Sequence, residues 1–528
     1  MKPTISTDVI IAGAGPTGLA LACQLIRYGV DFVIFDKREG LTPYSKAIGV
    51  QARTLEIYEQ IGLAKSLIEQ GAPMERVRMM EGGEVRAVVE LSSLGRGVSP
   101  YPYMLIVEQS KHERVLYDFI EAHGEDVLWQ TTMDSFSQNE DGVTANITDP
   151  TGEAQTIHGM YLIACDGAKS SVRTELGMTF GGSTFERMFY VADVQIAWKL
   201  PHDALVACLA KDRSTAFFPM PGEDRYRIVG AFPEGFDKDT SEILYEEIER
   251  QVVEDTRLDL DVYKVNWFSS YKVHSRRVDS FSKGRCFLAG DAAHIHSPAG
   301  GQGMNTGIQD GYNLAWKLAV VLQGRAHPRI LDSYNEERVE NAKRLVETTD
   351  RMFDLLASPD WLTSFLRLHV FPRVANLVLR SQAINHFIFP LISQTGINYR
   401  DRSLSVPNGK KFEVKGGDRM PYLVIDGESI YDKLREPRFH LITFSNEREN
   451  DQTMKEQIES KYNDLVDYHS FPLDSRVAEA FGTHDAFNVL LRPDNYVAFV
   501  SHETPLSELS SYIHGVIGGL QSQAGHHK

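Results

Sequence analysis

The segment VIIAGAGPTGLALACQLI, beginning at Val9, constrains the chain more than any other. It opens on an apolar, β-branched run stopped by glycine, the pattern of a buried strand. After the glycines, Leu19, Ala22, Cys23 and Ile26 recur at i, i+3, i+4 and i+7 and mark one face of a helix. In the order strand, glycine turn, helix, each glycine has a task. Gly13 permits the tight turn, Gly15 leaves room for a pyrophosphate against the backbone, and Gly18 lets the helix pack closely on the strand. The helix N-terminus presents free N–H groups and the positive end of its dipole to phosphate. A second apolar strand, DFVIFDKR, ends at Asp36, eighteen residues past Gly18, where a carboxylate can accept from ribose hydroxyls; Lys37 beside it is a further cofactor candidate. A bare GxGxxG is a weak signal, but with strand, helix and acidic residue in place it predicts a dinucleotide site.

Length and charge narrow what surrounds that site. A chain of 528 residues exceeds one ordinary core, so two to four structural units are expected. Its 55 basic against 72 acidic side chains give a net charge of -17, which repels a phosphate backbone and argues against a nucleic-acid partner. Cys23, Cys165, Cys208 and Cys286 lie far apart with no CxxC pair, which fits a reduced, cytoplasmic setting. A seven-residue leader without an apolar h-region precedes the first apolar strand, so no secretory signal is expected. The stretch HVFPRVANLVLRSQAINHFIFPLI carries Arg373, Arg380, Pro372 and Pro390 and reads as amphipathic helix rather than a membrane span.

Two later segments repeat the strand-then-turn theme. In LIACDGAKSSVR, residues 162 to 173, an apolar strand delivers Asp166-Gly167 to a turn, and Ser170, Ser171 and Arg173 open a helix. In GRCFLAGDAAHIHSPAGGQGMNTGIQDGYNLAWKLAVVL, residues 284 to 322, a strand ends in Gly290-Asp291, and a glycine-rich loop leads to a helix with Leu314, Ala315, Leu318, Ala319 and Leu322 on its apolar face. GAGPTG, CDGAKSSVR and AGDAAHIHSPAGGQGMNTGIQD, in that order, resemble the class A flavoprotein monooxygenases, the single-component FAD-dependent aromatic hydroxylases. GGDRMPYLVI and NVLLRPDNYVAFVS extend the resemblance to the phenol and polyketide hydroxylase branch with a thioredoxin-like C-terminal domain.

The resemblance implies residue roles. Asp291 would hold the FAD ribityl chain, and Pro298 would pack near the flavin ring. Backbone N–H groups around Gly303, Met304 and Asn305 would face the flavin pyrimidine and stabilise the negative charge of the reduced ring. Asp166 would serve the FAD and nicotinamide region, Arg53 the cofactor phosphates, and Gln109 the ribityl and adenosine linkage. Lys46 departs from the family, which often has arginine before A-x-G. NADH or NADPH would be a transient co-substrate, since no second GxGxxG follows a strand. Oxygen from O2 would reach an electron-rich ring carbon through a flavin C4a-hydroperoxide. No residue declares itself as the phenol base. Alternatives are Baeyer-Villiger oxygenation of a polyketide and a non-catalytic flavin-binding protein. Flavin-dependent halogenation is disfavoured because its W-x-W-x-I-P signature is missing: Trp129, Trp198, Trp267, Trp316 and Trp361 are widely separated.

The expected fold is α/β: a Rossmann-type FAD-binding fold with an inserted β-sheet substrate domain and a C-terminal thioredoxin-like domain. The FAD-binding part takes residues 1–179 and 281–345, and the sheet domain 180–280 with parts of 73–105. A helical linker over 346–402 closes the pocket, the thioredoxin-like domain spans 403–520, and 521–528 is a disordered tail. STAFFPMPGEDRYRIVGAF reads as a hairpin over the flavin, with Phe217, Phe218, Pro219 and Met220 as candidate substrate wall; Trp267 and Tyr271 join them on the same terms, a core aromatic cluster being the competing reading. His294 and His296 form HxH without an evident third ligand, so no metal is expected there. An aromatic small molecule and O2 are the expected partners, with a homodimer suggested by the resemblance alone.

Overall fold

β1 (Val9–Ala12), α1 (Pro16–Tyr28) and β2 (Phe32–Phe35) make the first β-α-β unit, with β1 and β2 paired in parallel. The computed structural model describes residues 4–43, 45, 47–210, 214–233, 236, 243–297, 299–357, 388–407, 411–446, 451–462, 464–503 and 505–518. All of β1 is buried, as expected for a strand covered on both faces. Pro16 starts α1, where a missing N–H costs nothing, and Gly29 ends it at φ 63° with its N–H turned back to the carbonyls of Leu25 and Ile26. α2 (Ala52–Glu59) and α3 (Gln109–Ala122) follow, and β3 (Tyr161–Ala164) then pairs in parallel with β1. The residues read as a leader supply a strand, Thr4–Ser6, parallel to Ala154–Gly159.

A long excursion leaves this sheet after β3. Strands Gly181–Trp198 and Leu260–Arg277 pair antiparallel at the heart of an eight-stranded sheet. The expected hairpin, Ser214–Pro219 with Arg225–Ala231, lies in it, and Arg76–Glu81 and Glu84–Glu90 complete one side. Strand alternation sorts its side chains. Tyr190, Ala192, Val194, Phe217, Tyr226 and Ile228 pack with Ile248 and Val252 of α4 (Tyr245–Thr256). Phe189, Ala231 and Val273 lie on the opposite face with Tyr271.

The chain returns with β4 (Cys286–Leu288), which pairs in parallel with β3. α5 (Gly303–Leu322) and α6 (Asp332–Ala357) follow. Of the segment expected to be a helical linker, residues 358–387 lie outside the described residues, as does the tail. Among the described residues no helix is long and apolar enough to cross a membrane.

The C-terminal unit has its own core. β5 (Phe439–Phe444) runs parallel to β6 (Val466–Phe471) across the helix Asp451–Tyr462, and antiparallel to the hairpin Phe487–Leu491 and Val497–Ser501. The hairpin turn is buried against α5 and α6. Arg492 donates to both Glu337 (2.5 Å) and Asp494 (2.5 Å), Trp316 donates its indole N–H to Asp494 (3.1 Å), and Lys317 donates to Glu337 (2.8 Å). Arg492, Asp494, Lys317 and Glu337 are all at 2% exposure or less. Burial alone pushes the Glu337 carboxyl up, but Arg492 and Lys317 bring it down to about 2. Burial lowers the Lys317 ammonium to about 8 despite Glu337 beside it.

Candidate active site

Thr17, in the GPTG turn, is the point where distant motifs meet. A Cβ on Gly290 would lie 2.5 Å from its Oγ1, and a Cβ on Gly307 would lie 2.4 Å away. Farther along α5, Gly311 sits against Leu21 of α1, where a Cβ would approach to 3.2 Å. α1 and α5 therefore pack at backbone range through Gly307 and Gly311, one helical turn apart. The third motif joins from below: Gly13, at φ 105°, lies so close to the Cys165 carbonyl that a Cβ would come within 2.4 Å. A Cβ on Gly18 would come within 2.0 Å of the Gly13 carbonyl. At Gly15, by contrast, a Cβ meets nothing within 4 Å. Gly13 and Gly18 thus serve the fold, while Gly15 borders open space at the N-terminus of α1, which suits a pyrophosphate.

The loop that starts α5 is held rigidly. Asp310, fully buried, accepts from the Gly290 N–H (2.9 Å), from His294 Nε2 (2.8 Å) and from Arg338 Nε (2.7 Å). Burial pushes its carboxyl up, but Arg338 and His294 hold it below the usual carboxylate range. Asn305 accepts from the Gln51 N–H (2.9 Å) and the Thr54 hydroxyl (2.8 Å), and donates to the Gly49 and Gly301 carbonyls, both at 2.9 Å. His112 Nδ1 lies 3.3 Å from Met304 Sδ, and its Nε2 shares a hydrogen bond with the Tyr58 hydroxyl (2.7 Å). Burial lowers His112 to about 3, so it sits neutral. The amides of Gly303, Met304 and Asn305 occupy the first turn of α5, where the helix itself supplies no acceptor. They form a ready donor set for an anionic ring oxygen.

Other expected site residues have specific placements. Asp291 is exposed on the turn Gly290–Ala292 directly after β4, at the open end of the sheet. Gln109 accepts from the Ala47 N–H (3.2 Å) and donates to Glu113 (2.9 Å) at the start of α3. Asp166 uses one oxygen to accept from the Ser171 N–H (2.8 Å) and hydroxyl (3.2 Å), capping the next helix; its other oxygen is buried without a hydrogen-bond partner. His296 Nε2 is likewise buried and unpartnered beside Gly303. Orphaned polar atoms around a glycine-lined cradle fit a polar cofactor. Lys37 is exposed next to Asp36. Pro298 and Lys46 lie outside the described residues.

Three expectations need correction. Both Asp36 oxygens already have two protein donors. Oδ1 accepts from the Arg38 N–H (2.9 Å) and Nε (3.1 Å), and Oδ2 from the Ala14 N–H (2.8 Å) and Arg38 Nη2 (3.1 Å). A ribose hydroxyl at Asp36 must therefore displace Arg38. Arg53 is not presented to the phosphate loop: it is 2% exposed, paired with Glu56 (3.2 Å), donates to the Asp494 carbonyl (3.0 Å), and lies over the rings of Tyr312 and Tyr496. Its long apolar stem and the C-terminal hairpin turn explain this use; it ties α2 to the junction. Finally, the proposed substrate wall is split by alternation. Phe217 belongs to the core under α4, whereas Phe218 and Met220 pack with Ile48, Met104, Ile106 and Phe389 on the other side. Pro219, which ends its strand, is buried. Trp267 stacks on Arg227, which forms a buried pair with Asp193 (2.6 Å), and Tyr271 lies beside Phe189.

Sequence reasoning missed Asp310, Arg338 and the role of Arg173. Arg173 donates to the Ala292 (2.8 Å) and Ala168 (2.8 Å) carbonyls and so ties the CDG segment to the GD turn. Its place inside the CDGAKSSVR motif was the available signal; Arg338, on α6, had none.

The cradle fits a dinucleotide, and likeness to known proteins gives the class: a flavin-dependent monooxygenase of aromatic or polyketide compounds. The family model described as FAD binding domain matches residues 6–349, and that described as aromatic-ring hydroxylase, C-terminal, matches residues 415–519. The chain belongs to the aromatic-ring hydroxylases with this FAD-binding domain, and FAD is its cofactor. It is 33% identical over 83% of its length to a flavin-dependent monooxygenase of Mycobacteroides abscessus, covering 88% of that protein. It is 32% identical over 78% of its length to pentachlorophenol 4-monooxygenase of Sphingobium chlorophenolicum, covering 75% of that protein. The solved structure of an anhydrotetracycline hydroxylase from Streptomyces rimosus superposes with a TM-score of 0.77 at 28% identity, covering 98% of this chain and 100% of that one.

Proposed function

We propose that this enzyme hydroxylates a phenolic or polyketide-type aromatic ring, using NADH or NADPH as electron donor and O2 as oxygen source. The observation that carries the reading is the convergence at Thr17 of motifs separated by more than 270 residues: Gly290 and Gly307 both pack on its side chain, two residues from Gly15. Bound FAD supplies the electron transfer and the oxygen activation. Gly15 and the α1 N-terminus would take the pyrophosphate, Asp291 would accept from the ribityl chain, and the amides of Gly303, Met304 and Asn305 would donate to the ring edge. Asp310 and Asn305 hold those donors in place, so little reorganisation is needed as charge develops.

Phe218, with Trp267 and Tyr271, forms the apolar side of the substrate space; Phe217 and Met220, both fully buried, do not reach it. Burial pushes the Tyr271 phenol up to about 12, so it stays a neutral donor across the working pH range. The family likeness to enzymes named for pentachlorophenol and anhydrotetracycline supports a phenolic substrate class. We assign 1–179 with 281–345 to FAD binding, 180–280 with parts of 73–105 to substrate binding, and 403–520 to a thioredoxin-like domain that, lacking CxxC, acts in packing. The four buried, unpaired thiols suit a reducing cytoplasm.

The test is turnover under 18O2 with a panel of phenols and aromatic polyketides. One 18O atom on a ring carbon of the product is expected. An 18O-labelled ester or lactone, or product oxygen drawn from water, overturns ring hydroxylation.

A further inference from the structure

His440, Asp467 and His469 lie in the C-terminal unit, away from the flavin cradle. Among the described residues they are the group of three His, Cys, Asp or Glu side chains able to share a cation, with candidate ligand atoms all within 4.8 Å of one another. The strand register explains the cluster. His440 on β5 stands opposite Asp467 on β6, and Asp467 and His469, two residues apart, share one face. His440 Nδ1 is 3.1 Å from His469 Nε2 and 3.9 Å from Asp467 Oδ2. Two nitrogens bound to a tetrahedral zinc ion at ordinary bond lengths lie roughly 3.3 Å apart, so the imidazole pair is near that spacing already.

The surroundings fix the chemistry of each group. His440 Nε2 is 3.2 Å from the Glu436 carbonyl, which can only accept. The ring proton therefore points away from the cluster, and the Nδ1 lone pair points into it, the arrangement that orients metal-binding imidazoles. Arg438 holds Asp467 Oδ1 at 3.3 Å, leaving Oδ2 as the oxygen turned to His440.

We infer that His440, Asp467 and His469 bind a divalent transition-metal ion of the zinc class, with water completing the coordination on the half-buried His469 side. The ion would clip the edge strand β6 to β5. It would also fix the turn before β5, where Arg435 pairs with Glu59 (2.5 Å) and Arg27 donates to the Arg435 carbonyl (2.5 Å). A bound ion would thus stiffen the docking of the C-terminal unit on the flavin unit.

The competing arrangement is a plain hydrogen bond from His469 to His440. Titrating Co2+ into the chelator-treated, FAD-loaded full chain, followed by visible absorbance and Zn2+ competition, separates them. The wild type should show intense tetrahedral-type bands that Zn2+ abolishes. His469→Gln should weaken binding at least tenfold while keeping its flavin, with Asp467→Asn as a second test should that variant fold poorly. Replacing the tail histidines, His526→Ala with His527→Ala, should leave the bands in place. Absence of such bands in the wild type, or equal binding by wild type and both site variants, overturns the proposal.

Discussion

The flavin cradle and the junction of the C-terminal unit are both rigid, and they are built from opposite materials. The cradle uses glycines and backbone amides: Gly13 and Gly18 let main chain meet main chain, and Gly290 and Gly307 make room for the Thr17 side chain. The junction uses charge: Arg492, Glu337, Lys317 and Asp494 satisfy one another with almost no exposure to solvent. A backbone device fails by steric clash, and a charge device fails by leaving an uncompensated ion. The cradle can therefore lose its ligand without losing the fold, while the junction cannot lose a partner without losing stability.

The largest effect follows at the junction. Arg492→Leu leaves the buried Asp494 carboxylate without its cation and Glu337 with Lys317 alone, and should destabilise the protein by about 3–5 kcal/mol; chemical denaturation should show it, with flavin released as the chain unfolds. Next, Gly15→Val and Asp291→Ala should each give colourless protein whose apo form melts like wild-type apoprotein, whereas Gly18→Val, with its Cβ 2.0 Å from the Gly13 carbonyl, should lose flavin and stability together. Normal flavin content in the Gly15 and Asp291 variants would sink the site assignment.

A pH series sharpens the contrast further. Folded Glu337 releases its proton more readily than the unfolded chain, at about 2 against 4.5. Its stabilisation is complete above the unfolded value and is lost as pH falls from about 4.5 towards 2. Glu337→Gln should flatten that acid limb in equilibrium unfolding, while Gly15→Val leaves it unchanged. The smallest effect separates the two faces of one strand. Phe218→Leu should raise KM a few-fold with little change in Tm, whereas Phe217→Leu should lower Tm and leave KM alone.

The same contrast explains what could be read from the chain. Gly13 and Gly18 sit at fixed spacing between a strand and a helix because the backbone demands it, so they announce themselves in one dimension, and Gly15 is read with them from the same motif. Gly303, Met304 and Asn305 entered only through the family resemblance; they form the first turn of α5. Arg53 misled because a guanidinium suits a phosphate and a buried carboxylate equally; only the approach of the Asp494 turn decides between them. Asp36 directly follows β2, but nothing in the sequence announced that Arg38, two residues on, takes its oxygens. Phe217 and Phe218 are adjacent and chemically alike, so composition could not say that they face opposite sides. The Arg492 network joins residues more than 150 positions apart and leaves no local pattern.

Anaerobic stopped-flow reduction of the bound flavin by NADH and by NADPH, with and without phenols and aromatic polyketides, tests the central claim most directly. Reduction by a reduced nicotinamide is expected, accelerated manyfold by at least one aromatic compound that the enzyme then hydroxylates. A flavin that neither nicotinamide reduces, whatever the aromatic present, would contradict it and leave a protein that binds FAD without using it.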